Sequence, residues 1–256
     1  MNIISVFIQK GGVGKTTLSF NMAKILAQKG YNVLAIDNDA QMNLSASFTD
    51  HISHEYTSMD IFEESGQVRF LNIEKNLDII PSHSRLSRLE KTLSAVDLGV
   101  LSKNIKKYNK YDFVIIDCPP SLGNLSIASL MASDYVLIPF ECSLYCYQGL
   151  TELMTTINKV QSSGLNSNLK NLGMVINKHE KTIISDEILT ELKREFGDLV
   201  FKQKISKSVK LIESPAVKQS IVEYDSKHKV SIQVTAFIDE ILDKIKLNNS
   251  KEKKSA

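Results

Sequence analysis

The 256-residue chain contains no apolar run approaching the ~18 residues that a membrane-crossing helix needs. Three cysteines, Cys118, Cys142 and Cys146, are too few for a disulfide framework in a chain of this length, so a reducing cytoplasm is expected. Five prolines and eleven glycines gather in no linker, and no internal repeat is found. Neither sign of charge dominates: 31 basic against 29 acidic side chains give +2, so net charge alone implies no polyanionic partner. The opening MNIISVFIQKGG lacks a basic leader and has too short an apolar stretch for a signal peptide. The rest of the composition, 43% hydrophobic and 23% charged, excludes a mostly disordered chain, and 28.7 kDa is ample for a buried core.

Short apolar runs alternate with longer stretches of helical period. Strands are expected at Ile3–Ile8, Val33–Ile36, Leu77–Ile80, Phe113–Ile116, Tyr135–Ile138 and Leu172–Ile176. They are nearly continuous in Ile, Val and Leu, as parallel strands covered on both faces are. Helices are expected at Thr16–Lys29, Leu122–Met131, Gly149–Val160, Ser185–Phe196 and Ser231–Ile245. This alternation predicts an α/β fold, a mostly parallel β-sheet flanked by helices on both faces, with ligands at the carboxyl ends of the strands. One domain over residues 1–247 is expected, followed by a basic, disordered tail at 248–256.

The first expected strand runs straight into Gln9-Lys10-Gly11-Gly12-Val13-Gly14-Lys15-Thr16-Thr17, and a helix follows. Glycines allow positive φ and close backbone approach, so successive N–H groups can surround phosphate oxygens. The helix opening at Thr16 adds free N–H groups and a positive dipole end. Lys15 is suited to neutralise the outer phosphates and the Thr16 hydroxyl to ligate Mg²⁺. A ligand-free glycine turn is the plainer reading, but Gly-Lys-Thr-Thr directly between strand and helix favours phosphate binding. The loop departs from the usual pattern, with Gln9 where a glycine is standard and a second lysine, Lys10, beside it.

Two further strand ends carry acids. Asp37 and Asp39 follow the second expected strand, and their spacing places both towards the phosphates, where carboxylates order Mg²⁺ waters and the attacking water. Asp-Asn-Asp is also common turn composition, and it is the neighbouring phosphate loop that favours function. Phe113-Val114-Ile115-Ile116-Asp117 has the form of a Walker B strand whose aspartate holds a metal-bound water. Cys118 is read as a small packed side chain.

Lys10-Gly11-Gly12-Val13-Gly14-Lys15-Thr16-Thr17 resembles the deviant phosphate loop, KGGVGKTT, of the ParA/MinD family of P-loop ATPases. The likeness extends to Ile116-Asp117-Cys118-Pro119-Pro120-Ser121, to Ile138-Pro139 with Gln148-Gly149-Leu150, to Ile205 through Pro215 and to Glu223-Tyr224-Asp225. It is nearest to the ParA/Soj branch of partition ATPases. Departures are Ala40 for proline, Ser143 and Gln148 for glutamates and Ala128 for asparagine. The chain starts almost at its first strand, so the N-terminal DNA-reading domain of larger plasmid relatives is expected to be absent. The resemblance implies a P-loop NTPase fold, ATP and Mg²⁺ as cofactors, and a homodimer built by ATP in which Lys10 reaches the nucleotide of the facing subunit. It implies catalytic roles for Lys10, Lys15 and Asp39. Nucleotide contacts would come from Lys10, Gly11, Gly12, Val13, Gly14, Lys15, Thr16, Thr17, Asn177 and Pro215, and metal contacts from Thr16, Asp39 and Asp117. Asn177-Lys178-His179-Glu180 is similar to the guanine motif of GTPases, but relatives use this strand end on adenine, with the loop at Ser214-Pro215 closing the other side. Adenine is therefore expected, with GTP as the lesser option.

The last quarter is basic. Phe201–Ala256 holds twelve lysines against seven acids, leaving −3 for residues 1–200. Lys202, Lys204, Lys207 and Lys210 fall in one acid-free stretch, with Lys227 and Lys229 beyond it. Solvated surface is the plain reading of such lysines. In ParA/Soj relatives, arginines at the positions of Lys207 and Lys210 contact DNA, so Lys204, Lys207, Lys210, Lys227 and Lys229 are expected to meet DNA phosphates without base reading. The resemblance further implies hydrolysis stimulated by a ParB-like centromere-binding protein, plasmid or chromosome partition, and association with the nucleoid. The alternative is a MinD-like positioning ATPase docked on membrane. The tail LNNSKEKKSA carries no aromatic or leucine face to insert, so no membrane partner is expected. His51-x-x-His54 lacks further ligands at zinc spacing, and Cys142-x-x-x-Cys146 fits no iron–sulfur spacing.

Overall fold

The computed structural model describes residues 1–50, 57–63, 68–94 and 97–255. His51 and His54 lie outside them. In chain order the strands are β1 (Asn2–Val6), β2 (Val33–Asp37), β3 (Leu71–Glu74), β4 (Leu77–Ile80), β5 (Phe113–Asp117), β6 (Tyr135–Phe140), β7 (Lys170–His179) and β8 (Val200–Ser206). The helices are α1 (Lys15–Gln28), α2 (Asn43–Phe48), α3 (Leu86–Thr92), α4 (Leu98–Ile105), α5 (Asn124–Ala132), α6 (Leu144–Ser162), α7 (Ile183–Phe196), α8 (Lys210–Ala216), α9 (Ile221–Tyr224) and α10 (Lys229–Ser255).

The strands form one eight-stranded sheet in the order β3-β4-β2-β5-β1-β6-β7-β8. Every pairing is parallel except β3 with β4 at one edge. Alternate residues of each strand serve opposite faces. Ile3, Val114 and Ile116 join one apolar core, while Ile4, Phe113 and Ile115 join the other. Burial on both faces explains why these strands read as continuous apolar runs. Register brings Val6, Asp37 and Asp117 level at the carboxyl edge of three neighbouring strands, and the glycine loop leaves β1 beside them.

All six expected strands and five expected helices are present, with ends displaced by a few residues. The edge strands β3 and β8 were not expected, because an edge strand shows less of the continuous apolar pattern. Lys202, Gln203 and Lys204 sit between Phe201 and Ile205, which are buried. The last helix continues to Ser255, past the point where a disordered tail was expected. Val230, Val234, Phe237, Ile238, Ile241, Leu242 and Ile245 recur at helical spacing and are buried. Beyond Ile245 the chain holds no glycine or proline and carries four lysines, which sustain a helix already nucleated.

Candidate functional site

The loop after β1 turns through left-handed glycines, Gly12 at φ +77° and Gly14 at φ +90°. Gly14 caps α1 without a side-chain bond, and the first turn of α1 carries no acid, so its N–H groups and dipole end are left for an anion. A Cβ on Gly14 would lie 2.4 Å from Asn177 Nδ2 and would displace that amide, while the positive φ itself favours glycine.

Lys15 is buried, and its ammonium donates to the carbonyls of Ile8 at 3.3 Å and Lys10 at 2.8 Å. Burial lowers its pKa, with the charge of Asp117 opposing that shift. Thr16 Oγ1 donates to Asp117 Oδ2 at 2.7 Å, and Ser19 Oγ to Asp117 Oδ1 at 2.9 Å. Burial pushes the Asp117 carboxyl up to about 7, helped by the charge of Asp37 and resisted by those two hydrogen bonds.

Asp39 lies at the cleft, where its Oδ1 accepts from the backbone N–H of Gln41 at 3.0 Å. Asp37 does not join it. Asp37 is fully enclosed, and its Oδ2 accepts from both the N–H (2.8 Å) and the hydroxyl (2.6 Å) of Ser45, in the first turn of α2. The two acids diverge because β2 ends at Asp37, so strand alternation no longer governs Asp39. Ser45 and Ser82 complete a buried support. Ser45 Oγ accepts from the Ser82 N–H at 2.8 Å, and Ser82 Oγ donates to the Asp39 carbonyl at 2.6 Å. Neither serine was legible as a site residue.

A cleft of about 580 Å³ gathers Gly11, Gly12, Gly14, Lys15, Thr16, Thr17 and Asp39 on one side. Pro215, with Ile212 and Ala216 of α8, supplies an apolar wall, and Lys178 is also at its edge. Val13 is buried, and its carbonyl accepts from Asn177 Nδ2 at 2.8 Å. Asn177, expected to meet the base, is thus placed behind the loop as a support. Lys10 is directed elsewhere too: its ammonium donates to Ser143 Oγ at 2.9 Å, at the N-cap of α6. Lys178, part of the segment expected at the base, donates instead to the carbonyl of Gly12.

These groups fit a magnesium-bound nucleoside triphosphate. Among the described residues no cluster of three or more His, Cys, Asp or Glu side chains is placed to hold a metal. The donor set instead pairs a hydroxyl and carboxylates with a phosphate cradle, which suits Mg²⁺ taking part of its shell from substrate oxygens. The cysteines stay apart from the chemistry: burial pushes the Cys118 thiol up to about 12 and the Cys142 thiol up to about 11.

Residues 1–171 match the model of a family described as an AAA domain. The chain is 36% identical over 236 residues to the sporulation initiation inhibitor protein Soj of Bacillus subtilis, covering 89% of this chain and 92% of that one. The chain belongs to the ParA/Soj family of partition ATPases. The chromosome partitioning protein ParA of Caulobacter vibrioides is 31% identical over 242 residues, 89% of this chain and 88% of that one. Among solved structures, a plasmid partition protein of Borrelia burgdorferi bound to AMPPNP superposes with TM-score 0.80 at 25% identity, covering 95% of this chain and 98% of that one. The sheet and its flanking helices are accordingly a P-loop NTPase fold.

The five basic-segment lysines lie on separate elements. Lys204 is on β8, Lys207 follows it, Lys210 opens α8, Lys227 precedes α10 and Lys229 begins it. The stretch is acid-free in sequence but not in space. Lys207 pairs with Glu180 at 3.2 Å, and Lys210 pairs with Asp225.

Proposed function

We propose that this chain is a Mg²⁺-dependent ATPase whose ATP-bound form dimerises, binds DNA without sequence preference and drives partition of a plasmid or chromosome. The observation that carries this reading is the convergence of the glycine loop, Lys15, Thr16 and Asp39 on one cleft, with Asp117 buried behind Thr16 and bonded to it, and Lys10 held outside. Loop N–H groups and Lys15 hold the phosphates of ATP, which frees the Lys15 ammonium from the Ile8 and Lys10 carbonyls. Thr16 and the carboxylates of Asp117 and Asp39 would hold Mg²⁺ and its waters, and the metal supplies charge neutralisation at the phosphate oxygens. Asp39 orients the attacking water, its backbone held by Ser82. Lys10 leaves Ser143 and contributes its cation to the cleft of the second subunit, so that hydrolysis is favoured only in the pair. Pro215 and Ile212 wall the base, and adenine is the preferred one, since Glu180, the residue in the guanine-reading position, is ion-paired with Lys207.

DNA contact through Lys204, Lys207, Lys210, Lys227 and Lys229 is to phosphates, and a ParB-like partner accelerates hydrolysis and releases the dimer from DNA. The protein would act in the cytoplasm, on the nucleoid. No helix among the described residues is long and apolar enough to cross a membrane. The apolar face of α10 is packed in the core rather than offered to lipid, which speaks against the membrane-docked alternative.

The test is phosphate release with ATP or GTP, with and without Mg²⁺ and DNA, for the wild type and Asp39→Ala. Wild-type turnover requires Mg²⁺ and prefers ATP, whereas Asp39→Ala binds ATP, remains dimeric and releases no phosphate. Turnover retained by Asp39→Ala would defeat the assignment of that residue.

A further inference from the structure

Among the described residues four other than glycine hold a left-handed backbone, and one of them, Lys178, lines the nucleotide cleft. Lys178, at φ +52°, adopts a conformation unfavourable for any residue with a Cβ. A bulge coincides with it. Between the pairs Ile176–Lys204 and His179–Ser206, β7 advances three residues while β8 advances two. Bulges re-aim side chains, and the Lys178 ammonium is aimed at the Gly12 carbonyl of the phosphate loop. Glu180, two residues on, is taken by Lys207. Within the same bulged segment, one residue before Lys178, Asn177 Nδ2 donates to the Val13 carbonyl at 2.8 Å.

The two acceptors belong to consecutive peptide groups, and none of the described peptides is cis. In a trans peptide the carbonyl and the following N–H point in opposite directions. Drawing the Gly12 and Val13 carbonyls towards the end of β7 therefore turns the N–H groups of Val13 and Gly14 the other way, towards the inside of the loop. These are the groups a phosphate would meet. The close seat of Asn177 against Gly14, where even a Cβ has no room, leaves this part of the loop little freedom to rotate back.

We infer that Lys178 is a positioning residue: by holding the Gly12 carbonyl it sets the direction of the phosphate-binding N–H groups, so the cradle is formed before nucleotide arrives. The inference rests on the nucleotide reading for its ligand but not for its structural content. It assigns Lys178 no contact with the reacting atoms, which separates its role from that of Lys15.

Two variants of the full chain test it. Lys178→Asn keeps a side chain that tolerates the left-handed backbone but cannot reach Gly12, and Lys178→Arg keeps the reach. The first measurement needs no nucleotide. Amide hydrogen exchange of the segment 11–14 in the free protein should quicken roughly tenfold in Lys178→Asn, stay near wild type in Lys178→Arg, and leave β5 and α10 unchanged. The second is the affinity for Mg²⁺-ATP and for ADP. Both should weaken roughly tenfold in Lys178→Asn, a change equal to one charge-assisted hydrogen bond, and recover in Lys178→Arg. Unchanged exchange and affinity in Lys178→Asn would overturn the inference. So would faster exchange throughout β5 and α10, which marks a merely structural residue, and so would a loss confined to ATP, which marks a direct contact with the terminal phosphate. A wild type that binds neither nucleotide defeats the functional reading instead, and the exchange measurement still decides the role of Lys178.

Discussion

The ammonium of Lys10 and the hydroxyl of Ser143 lie 2.9 Å apart, and the same hydroxyl accepts from the N–H of Cys146 to cap α6. A cation proposed to serve the neighbouring subunit is therefore held by its own chain. Reaching across requires that this bond be exchanged for one to phosphate.

Ser143→Ala removes the competing acceptor. The ATP concentration for half-maximal dimerisation should fall by a factor of a few to roughly ten, the worth of one hydrogen bond to a charged group. Loss of the cap should at the same time cost about 1 kcal/mol of stability. Sedimentation velocity across an ATP titration, beside a thermal melt, checks both effects. An unmoved dimerisation threshold would show that the bond does not restrain Lys10.

The acids that neutralise the basic segment make a second expectation. Asp225 holds Lys210, so Asp225→Asn should free that ammonium and strengthen binding to nonspecific DNA a few-fold at low salt. Each additional phosphate neutralised should steepen the slope of log affinity against log salt by about 0.9. Charge reversal at Lys207 and Lys210 should abolish DNA binding and leave ATP affinity unchanged. Filter binding over a salt series measures the slope, and an Asp225→Asn slope equal to wild type would place Lys210 outside the DNA contact.

Far from the cleft, Asp78 predicts an acid-labile share of stability. Burial disfavours its ionised form, yet hydrogen bonds from Tyr111 (2.6 Å), Asn72 (2.9 Å) and Lys110 (3.0 Å) outweigh burial and lower its pKa. A carboxyl depressed in the folded state stabilises the protein above its unfolded pKa of ~3.9, and that share is lost as pH falls through the lower folded value. Asp78→Asn should cost about 1–3 kcal/mol at pH 7, because Tyr111 and Lys110 lose a charged acceptor. Urea unfolding of both proteins should show the difference narrowing below about pH 4. A difference that persists undiminished into acid would rule out the charged form as its source.

The sheet was legible because its central strands are buried on both faces, so that Val33–Ile36 and Phe113–Ile116 had to be apolar without interruption. The edges were not: β8 carries the polar run Lys202-Gln203-Lys204 between its apolar residues, and that run reads as surface. The phosphate loop was legible because glycine and lysine at fixed spacing have one strong physical use, and Thr16, Asp39 and Asp117 all fall at strand or helix ends near it. What the sequence hid was relation across distance. Ser82 reaches the Asp39 carbonyl from 43 residues away, Ser143 meets Lys10 from 133, and Lys178 meets Gly12 from 166. No local pattern marks a serine or lysine for such a bond. Asp37 misled for the opposite reason: the strand rule that pairs it with Asp39 stops where the strand does.

In the proposed cycle ATP joins two copies of this chain through Lys10. Analytical ultracentrifugation of wild type and Lys10→Ala, each saturated with Mg²⁺ and a non-hydrolysable ATP analogue, tests it most directly. Wild type should dimerise and Lys10→Ala should stay monomeric while still binding the analogue; a wild type that stays monomeric, or a Lys10→Ala protein that dimerises equally well, would refute the link through Lys10.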